Sequence, residues 1–323
     1  MNERMKRKSL VYGPVTSRRL GLSLGVDTVP YKMCSFDCLY CQIGRTVNTT
    51  VRRADFGLSE RIFQDLGHAL ESGIPPDHIT LGGSGEPTLN LELGRIIQGI
   101  KRMTAIPVAV LTNSSLLWDQ DVRNELLAAD VVLPSLDAAD EQTYHVLNRP
   151  HPDIPFDRFV EGLCHFSLMF PGRVWLEVFL VKHINASGSH LEKLKRLIGK
   201  IKPDRVHLNT VVRPPADASI EAVEHAELSA IAAGIGGNAE VIAEYRDKGH
   251  GPRHAEPAED EILAVLLRRP STVRQVATAL RADEKQVGSL IDRLVSEARV
   301  STEQSGKERY YFCVAEPSGD HSL

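Results

Sequence analysis

The sequence predicts an α/β protein built around a parallel sheet and followed by a smaller helical module. From residue 79 to about residue 245, short apolar runs rich in β-branched residues alternate with amphipathic stretches, and the connections between them are brief. Repeated strand and helix favour parallel strands with right-handed crossovers, and continuously apolar strands indicate that helices cover the sheet. About six or seven β/α units fit in residues 10–245, which allows a complete or partial β/α barrel or an open doubly wound sheet.

The elements follow one another regularly along the chain. An early strand is predicted near LGLSLGVD, before the alternation begins. The later predicted strands are ITLGG, VAVLTNSS, DVVLPSLDA, VWLEVFLVKHIN, RVHLNTVVRPP and AEVIAEY. The predicted helices are LELGRIIQGIKRM, DQDVRNELLAA, SHLEKLKRLIGKI and SIEAVEHAELSAIAAG. Several strands end in polar residues, and because the C-terminal ends of parallel strands share one edge of the sheet, we expect the functional site there.

The amino-acid composition changes near residue 245, and this change predicts two domains. We assign residues 1–245 to the β/α domain and residues 246–257, which lack an apolar period, to a linker. Residues 258–315 contain three amphipathic helices and a hairpin with Ser305-Gly306 at its turn, and residues 316–323 are a disordered tail. Three helices followed by a hairpin are typical of a winged helix, a variant of the helix-turn-helix motif.

The third helix of this module has a clear apolar face. Its core positions recur at helical spacing: Val287, Leu290, Ile291 and Leu294. The outward positions are Lys285, Ser289 and Asp292. Residues 257–313 hold nine Lys/Arg and nine Asp/Glu, so the basic surface of a duplex-DNA reader is missing. Docking of a protein, peptide or RNA, or packing against the β/α domain, remain open roles.

Charge is unevenly distributed along the chain. The net charge is −4, yet residues 1–53 hold ten Lys/Arg against three Asp/Glu. This positive segment could attract an anionic substrate, a cofactor or a nucleic-acid backbone, or it could be a solvated basic tail.

No apolar run is long enough to span a membrane and the N-terminus lacks an apolar signal segment, so we expect a cytoplasmic protein with no membrane partner.

Three of the five cysteines fall within the eight residues of CSFDCLYC, at positions 34, 38 and 41. Cys164 and Cys313 lie far from them and from each other, which is a poor disulfide framework, and we expect both to be small buried side chains. A structural zinc site needs four ligands and a dithiol pair needs two. Three thiolates suit a four-iron cluster that leaves one iron open to an exogenous ligand.

The pattern C-x3-C-x-aromatic-C, formed by Cys34, Cys38, Tyr40 and Cys41, resembles the hallmark of radical S-adenosylmethionine (radical SAM) enzymes. The resemblance implies a partial (β/α)6-type barrel and a [4Fe-4S] cluster on the three cysteines, whose open iron binds the methionine moiety of S-adenosylmethionine. It also implies reductive cleavage to a 5′-deoxyadenosyl radical that abstracts hydrogen from a substrate. An electron donor such as flavodoxin or ferredoxin would be a partner.

A glycine-rich segment supports the resemblance. Gly83, Ser84, Gly85 and Glu86 precede a proline after the strand ITLG, where the family carries a loop that binds the methionine amino group. Glycines let backbone carbonyls approach a ligand, and Glu86 could either offset an ammonium group or fix the loop.

Residues at the next strand ends are weaker candidates for cofactor contacts. The resemblance implies that ribose and the methionine carboxylate contact Asn113, Ser135 and Asp137. Their alternative role is helix capping, and Asp137 stands just before the helical stretch ADEQTYHVL.

Substrate-side candidates follow along the later strands. They are Arg149 with Pro150 and His151, Glu177, Lys182, His183, Asn185, Asn209 and Arg213. A charge at Glu177, inside the apolar run WLEVFLV, has to be paired or bind something, and Arg213 could hold a phosphate or carboxylate. A structural salt bridge is the alternative explanation for each.

Within the superfamily, the segments YGPVTSRRLG, GSGEPTL, SLDA and NTVVRPP look like the wyosine-synthase-related branch, whose members modify tRNA. Those members use three further cysteines upstream for a second cluster, and this chain has no cysteine before Cys34. The substrate class therefore stays open between RNA or tRNA and a protein or peptide. A redox-sensing iron-sulfur regulator with a DNA-binding winged helix is the alternative function.

Overall fold

The protein is described here as a computed structural model. It describes residues 9–71, 75–242, 257–268, 270–280, 282–305 and 308–313. The strands are β1 Val11–Ser17, β2 Gly21–Val26, β3 Met33–Cys34, β4 Asn48–Thr49, β5 His78–Leu81, β6 Val108–Thr112, β7 Val131–Pro134, β8 Arg173–Leu180, β9 Arg205–Thr210, β10 Ala239–Val241, β11 Val300–Ser305 and β12 Glu308–Cys313. The helices are α1 Ser59–Glu71, α2 Leu93–Met103, α3 Gln120–Leu126, α4 Glu141–Leu147, α5 Phe156–Met169, α6 Gly188–Ile201, α7 His225–Ile235, α8 Glu259–Arg268, α9 Val273–Leu280 and α10 Glu284–Ser296.

An eight-stranded sheet organises the β/α domain. Its strand order is β1-β2-β5-β6-β7-β8-β9-β10, in which β1 is antiparallel to β2 and each later neighbour is parallel. The predicted parallel sheet with helical crossovers is confirmed, and the early strand near LGLSLGVD is β2. The sheet is open, with β1 and β10 at its edges, so the partial form of the barrel is the one observed.

Helix α2 shows how the pattern produces the packing. Ile96, Ile97 and Ile100 are fully buried in the main core, whereas the basic residues of the last turn, Lys101 and Arg102, face solvent and suit the negative end of the helix dipole. Each buried isoleucine contributes roughly 1.5–3 kcal/mol of apolar transfer free energy. The other helices of the domain cover the same sheet.

The structure differs from the prediction in several elements. Strand β1, helix α1 and helix α5 were outside the predicted alternation, and two helices, α4 and α5, connect β7 to β8. The helix predicted over SIEAVEHAELSAIAAG begins only at His225. The residues before it are extended because Ile220 and Val223 are buried and the Val223 amide donates to Thr210 Oγ1 at 2.9 Å.

Three helices and the β11–β12 hairpin form the C-terminal module, residues 257–313, around a core of its own. The predicted inward positions Val287, Ile291 and Leu294 are fully buried, and Leu290 is half-buried against them. The outward positions Lys285, Ser289 and Asp292 are exposed. The winged-helix identity stays a prediction. The hairpin turn at 306–307, the linker up to residue 256 and the tail 316–323 lie outside the described residues.

The C-terminal module packs against the edge of the sheet. Val15 of β1 joins the apolar cluster of the module, and helices α8 and α9 both contact β1. On the other side, the Tyr310 hydroxyl donates to the Val212 carbonyl at 2.8 Å. The module therefore spans from β1 to the residues after β9, across the opening of the sheet. In the part of the chain that is described, no helix has the length and apolar character needed to cross a membrane.

Candidate functional site

The cysteines, the glycine-rich segment and several strand ends surround one cavity of about 380 Å³. Its wall includes residues of β2, β5, β6, β8 and β9 and residues that follow β7. The sequence-predicted residues in its wall are Cys34, Cys38, Tyr40, Cys41, Gly83, Gly85, Ser135, Asp137, Glu177, Asn209 and Arg213. Residues from several strands and from the segments that follow them therefore meet at this cavity.

Two loops form the rim of this cavity and are bonded to each other. The cysteine loop, residues 30–47, follows β2, and the glycine loop, residues 82–87, follows β5. The Lys32 amide donates to the Ser84 carbonyl at 2.6 Å, and the Glu86 amide donates to the Met33 carbonyl at 3.0 Å. A Cβ atom on Gly85 would overlap the Met33 carbonyl oxygen. Glycine is required there because only a residue without a side chain allows the loops to approach so closely.

The three cysteines of the site are half-buried free thiols. Burial raises the pKa of the Cys34 thiol to about 12, with a further contribution from the nearby Glu86 carboxylate, and burial also raises the pKa of Cys38 and Cys41. A thiolate at such a position needs a compensating cation, and metal binding supplies one. Side-chain amides already point at two of the sulfurs: Asn113 Nδ2 lies 3.4 Å from Cys34 Sγ, and Asn148 Nδ2 lies 3.6 Å from Cys38 Sγ.

This donor set fits an iron-sulfur cluster. Among the described residues, no group of three or more His, Cys, Asp or Glu side chains is arranged to hold a metal ion by itself. The three cysteines are one fewer than the four converging ligands of a closed structural zinc site. A four-iron cluster takes one thiolate per iron, so its ligands stand farther apart, and amide N–H groups directed at the sulfurs are a known means of tuning it. The residues that would hold the cluster are Cys34, Cys38 and Cys41.

Glu86 fixes the glycine loop from behind. It is 2% exposed, and it is not in the cavity wall. Its Oε1 accepts from the Thr88 amide at 3.1 Å and from the hydroxyls of Thr88 and Thr112 at 2.6 Å each, and its Oε2 accepts from the Asn113 amide at 2.7 Å. Burial raises the pKa of Glu86, and these donors oppose the rise. Of the two roles expected for Glu86, the geometry favours fixing the loop over contact with an ammonium group.

Ser84 has a comparable supporting role. It is buried, and its hydroxyl donates to Asp27 Oδ1 at 2.7 Å. Of the residues of this loop, Gly83 and Gly85 line the cavity, whereas Ser84 and Glu86 do not.

Asp137 organises the far wall of the cavity. The Tyr40 hydroxyl donates to its Oδ2, which also accepts from Asn148 Nδ2 at 2.9 Å, and its Oδ1 accepts from the Phe179 amide at 2.8 Å. Burial raises the pKa of Asp137 to about 6. Asp137 is therefore not a helix cap, since the cap of α4 is Asp140, whose side chain accepts from the Thr143 amide.

Tyr40 lies between the cysteines and the sheet. Its ring stacks on Phe179 with centroids 4.1 Å apart and an angle of 13° between the planes. The stacking and the bond to Asp137 hold the ring of Tyr40 in one orientation next to Cys41. This explains why the cysteine pattern has an aromatic residue at this position.

Asn113 and Ser135 occupy different places. Ser135 lines the cavity, and its carbonyl accepts from Ser114 Oγ at 2.9 Å. Asn113 stands behind the cysteine loop, where Nδ2 donates to Ser35 Oγ at 2.9 Å in addition to its contact with Cys34. Ser135 is thus placed to meet a ligand, and Asn113 is placed to support the cysteine loop.

Three of the substrate-side candidates line the cavity: Glu177, Asn209 and Arg213. Glu177 forms an ion pair with Arg19, and its Oε1 accepts from Asn209 Nδ2 at 3.3 Å. The expected partner for this buried charge is thus present. The arginine comes from the turn between β1 and β2, far away in sequence.

The other candidates lie outside the cavity wall. The amide of Asn185 is fully buried and used by backbone groups of Val181, Asp137 and Phe179. Arg149 reaches Asp217 Oδ2 at 3.4 Å, and Lys182 reaches Glu221 at 3.7 Å.

These contacts support loops after β7 and β8. The two residues after Arg149 contact the cysteine loop, since Pro150 bridges to Phe36 and the His151 amide donates to the Ser35 carbonyl at 2.9 Å. His183 is exposed at the end of β8. Cys164 and Cys313 were expected to be buried, but both are only half-buried, and they pack at the margins of the cores of the two domains.

Sequence reasoning missed several residues of the site. Asn148 contacts both Asp137 and Cys38, and it is an uncharged residue at the C-terminal end of α4. The neighbouring Arg149 was selected instead because it is charged. Arg18, Arg19, Lys32 and Gln42 also line the cavity. The concentration of positive charge in residues 1–53 was the signal that could have found three of them.

Comparisons with known proteins agree with this geometry. The family model described as Radical SAM superfamily matches residues 28–198, which is more than half of the chain. UPF0026 protein MJ1312 of Methanocaldococcus jannaschii is 32% identical over 311 residues, which cover 94% of this chain and 95% of that protein.

A protein named GTPase Obg from Brachyspira hyodysenteriae is 40% identical over 296 residues, and this chain spans only 43% of its length. In structure, Streptococcus suis SuiB bound to precursor peptide SuiA has a TM-score of 0.51 at 15% identity, covering 67% of this chain and 48% of that one, which is a likeness of fold. On the family match and the full-length relative, the chain belongs to the radical SAM superfamily and, within it, with the UPF0026 proteins.

Proposed function

We propose that this radical SAM enzyme cleaves S-adenosylmethionine reductively at a cluster held by Cys34, Cys38 and Cys41, and abstracts hydrogen from a substrate in the same cavity. Enzymes of this superfamily bind a [4Fe-4S] cluster and S-adenosylmethionine. When bound, the reduced cluster supplies the single electron that breaks the sulfonium bond.

One observation carries the proposal. The cysteine loop and the glycine loop are hydrogen-bonded to each other and border one cavity that also contains all three thiols. A ligand of the open iron would therefore lie next to Gly83 and Gly85, in the loop that the buried Glu86 anchors through residues 88, 112 and 113.

The chain's own residues divide the remaining tasks. Gly83 and Gly85 would present backbone carbonyls to an ammonium group, and Ser135 would offer its hydroxyl to a sugar, since all three residues line the cavity. Asp137 and Asn148 hold Tyr40 against Phe179, which closes the wall beside the cysteines. Excluding bulk water from this wall protects a reactive species from side reactions.

The substrate we propose is either RNA or a protein or peptide. The resemblance to the wyosine-related branch and the positive segment around the cysteines favour RNA; the neutral surface of the C-terminal module favours a peptide. Enzymes of this kind use an electron donor, and flavodoxin or ferredoxin is our proposal for it. A cytoplasmic location remains a prediction. A gel shift of tRNA at low salt that disappears at high salt would support RNA.

The test of the proposed reaction is anaerobic. The chain is reconstituted with iron and sulfide, reduced with dithionite and mixed with S-adenosylmethionine, and 5′-deoxyadenosine is quantified. Cys38→Ala should abolish the product and the bound iron, whereas the matched variant Cys164→Ala, outside the cavity, should retain both. Absence of 5′-deoxyadenosine from iron-loaded wild-type protein would refute the proposed reaction.

A further inference from the structure

A second cavity of about 650 Å³ separates the β/α domain from the C-terminal module. One wall consists of the end of β9, the residues after it and helix α7. The opposite wall consists of helix α9 and strand β12, including Arg274, Gln275, Thr278 and Tyr310. We call this cavity the interdomain groove. The bond from Tyr310 to the Val212 carbonyl joins its two walls.

The interdomain groove adjoins the cavity that contains the cysteines. Three residues line both: Arg18, Asn209 and Arg213. Arg18 Nη2 donates to Asn209 Oδ1 at 3.2 Å, and Arg213 Nη1 donates to Gln42 Oε1 at 3.2 Å. Because Gln42 directly follows Cys41 in the chain, this junction leads from the groove to the cysteine loop.

The junction is rich in guanidinium groups. Two of its three residues are arginines, and Arg274 adds a third guanidinium to the groove; among the described residues of the groove wall, the carboxylate is that of Glu308. On the cysteine side, Glu177 accepts a hydrogen bond from Asn209 of the junction and forms an ion pair with Arg19. Guanidinium groups bind phosphate and carboxylate through paired N–H donors, and they do so most strongly where water is partly excluded.

We propose that the substrate enters through the interdomain groove and that Arg18 and Arg213 bind an oxyanion of the substrate, a phosphate or a carboxylate, at the junction. The C-terminal module thereby acts as one wall of the substrate entrance. The role of this entrance in the reaction rests on the proposed function. Binding of the anion at the junction does not depend on that function.

The test is calorimetric titration of the full-length protein at low salt with two probes, inorganic pyrophosphate and succinate. Wild type should bind at least one of them, and Arg18→Gln or Arg213→Gln should weaken that binding by about tenfold or more, the loss of one charged hydrogen-bond pair. Arg213→Lys, which keeps the charge but loses the paired donors, should give an intermediate affinity.

The matched control is Arg102→Gln, which removes an exposed arginine at the end of α2, outside both cavities. It should leave the affinity unchanged. Binding of pyrophosphate alone identifies a phosphorylated substrate, and binding of succinate alone identifies a carboxylate. If wild type binds neither probe, or if the Arg102 variant loses as much affinity as the junction variants, the anion site is refuted.

These outcomes separate the two proposals. Wild type that forms 5′-deoxyadenosine but binds neither anion would remove the anion site and leave the proposed reaction intact. Wild type that binds the anion through Arg18 and Arg213 but forms no 5′-deoxyadenosine would refute the proposed reaction and leave the anion site intact.

Discussion

Replacing Glu86 by glutamine tests whether this residue fixes the glycine loop or contacts the ligand. The substitution keeps the shape of the side chain and changes one carboxylate oxygen into an NH₂ group. In the structure all four recorded hydrogen bonds of the carboxylate come from protein donors of residues 88, 112 and 113.

The expected cost follows from those contacts. The remaining oxygen of Glu86→Gln can keep the three bonds of Oε1, and the NH₂ group then faces the Asn113 amide, which donates to Oε2 at 2.7 Å. The NH₂ group of the glutamine and the N–H of the Asn113 amide are both donors, and they would face each other in a buried environment. Loss of one hydrogen bond to a charged acceptor and an unsatisfied buried donor together should lower the free energy of unfolding by about 3 kcal/mol.

The assay is urea unfolding of the full-length protein, paired with the affinity of the reconstituted holoenzyme for S-adenosylmethionine. We expect a lower unfolding midpoint and an affinity within about threefold of wild type. The control Glu60→Gln removes a charge from an exposed pair with Arg95 and should cost less than about 1 kcal/mol. An unchanged midpoint combined with a large loss of affinity would refute the supporting role.

Three further predictions follow from the same geometry. Gly85→Ala should lower iron content and ligand binding, because its Cβ would overlap a backbone carbonyl of the cysteine loop, whereas Gly199→Ala, with open space around it, should be neutral or stabilising. Tyr40→Phe removes a donor from the buried Asp137 and should lower the free energy of unfolding by about 1–3 kcal/mol, measured by urea unfolding. Asn185→Ala leaves three backbone groups without their partner and should be among the most destabilising single changes. Because Asn185 lies outside the cavity wall, activity per folded molecule should be kept. A fall in that activity with no loss of stability would contradict this role.

Much of the fold was predictable because its signals are local. Strands such as β7 are continuous apolar runs, and the periodicity of α2 indicates its buried face directly. Strand β1 escaped because Gly13 and Pro14 interrupt its pattern, and its partner β2 is antiparallel where the later strands are parallel. The late start of α7 depends on burial of Ile220, a tertiary contact that local propensity does not contain.

The site was predictable only where the functional residues follow a fixed spacing in the sequence. The three cysteines and the glycine loop have fixed intervals, and both border the cavity. The side chains at strand ends were harder, since Lys182 and Glu177 are five residues apart yet one points to the surface and the other into the cavity. The pairing of Glu177 with Arg19 joins opposite ends of the domain, and no local pattern shows it.

Cys34, Cys38 and Cys41 should hold a four-iron cluster with one iron open to S-adenosylmethionine. The most direct test is electron paramagnetic resonance of the anaerobically reconstituted, dithionite-reduced protein, recorded without and with S-adenosylmethionine. We expect the signal of a reduced [4Fe-4S] cluster whose g-values change when S-adenosylmethionine is added, and loss of that signal in Cys38→Ala. A spectrum that is indifferent to S-adenosylmethionine, or a protein that retains zinc and no iron, would contradict it.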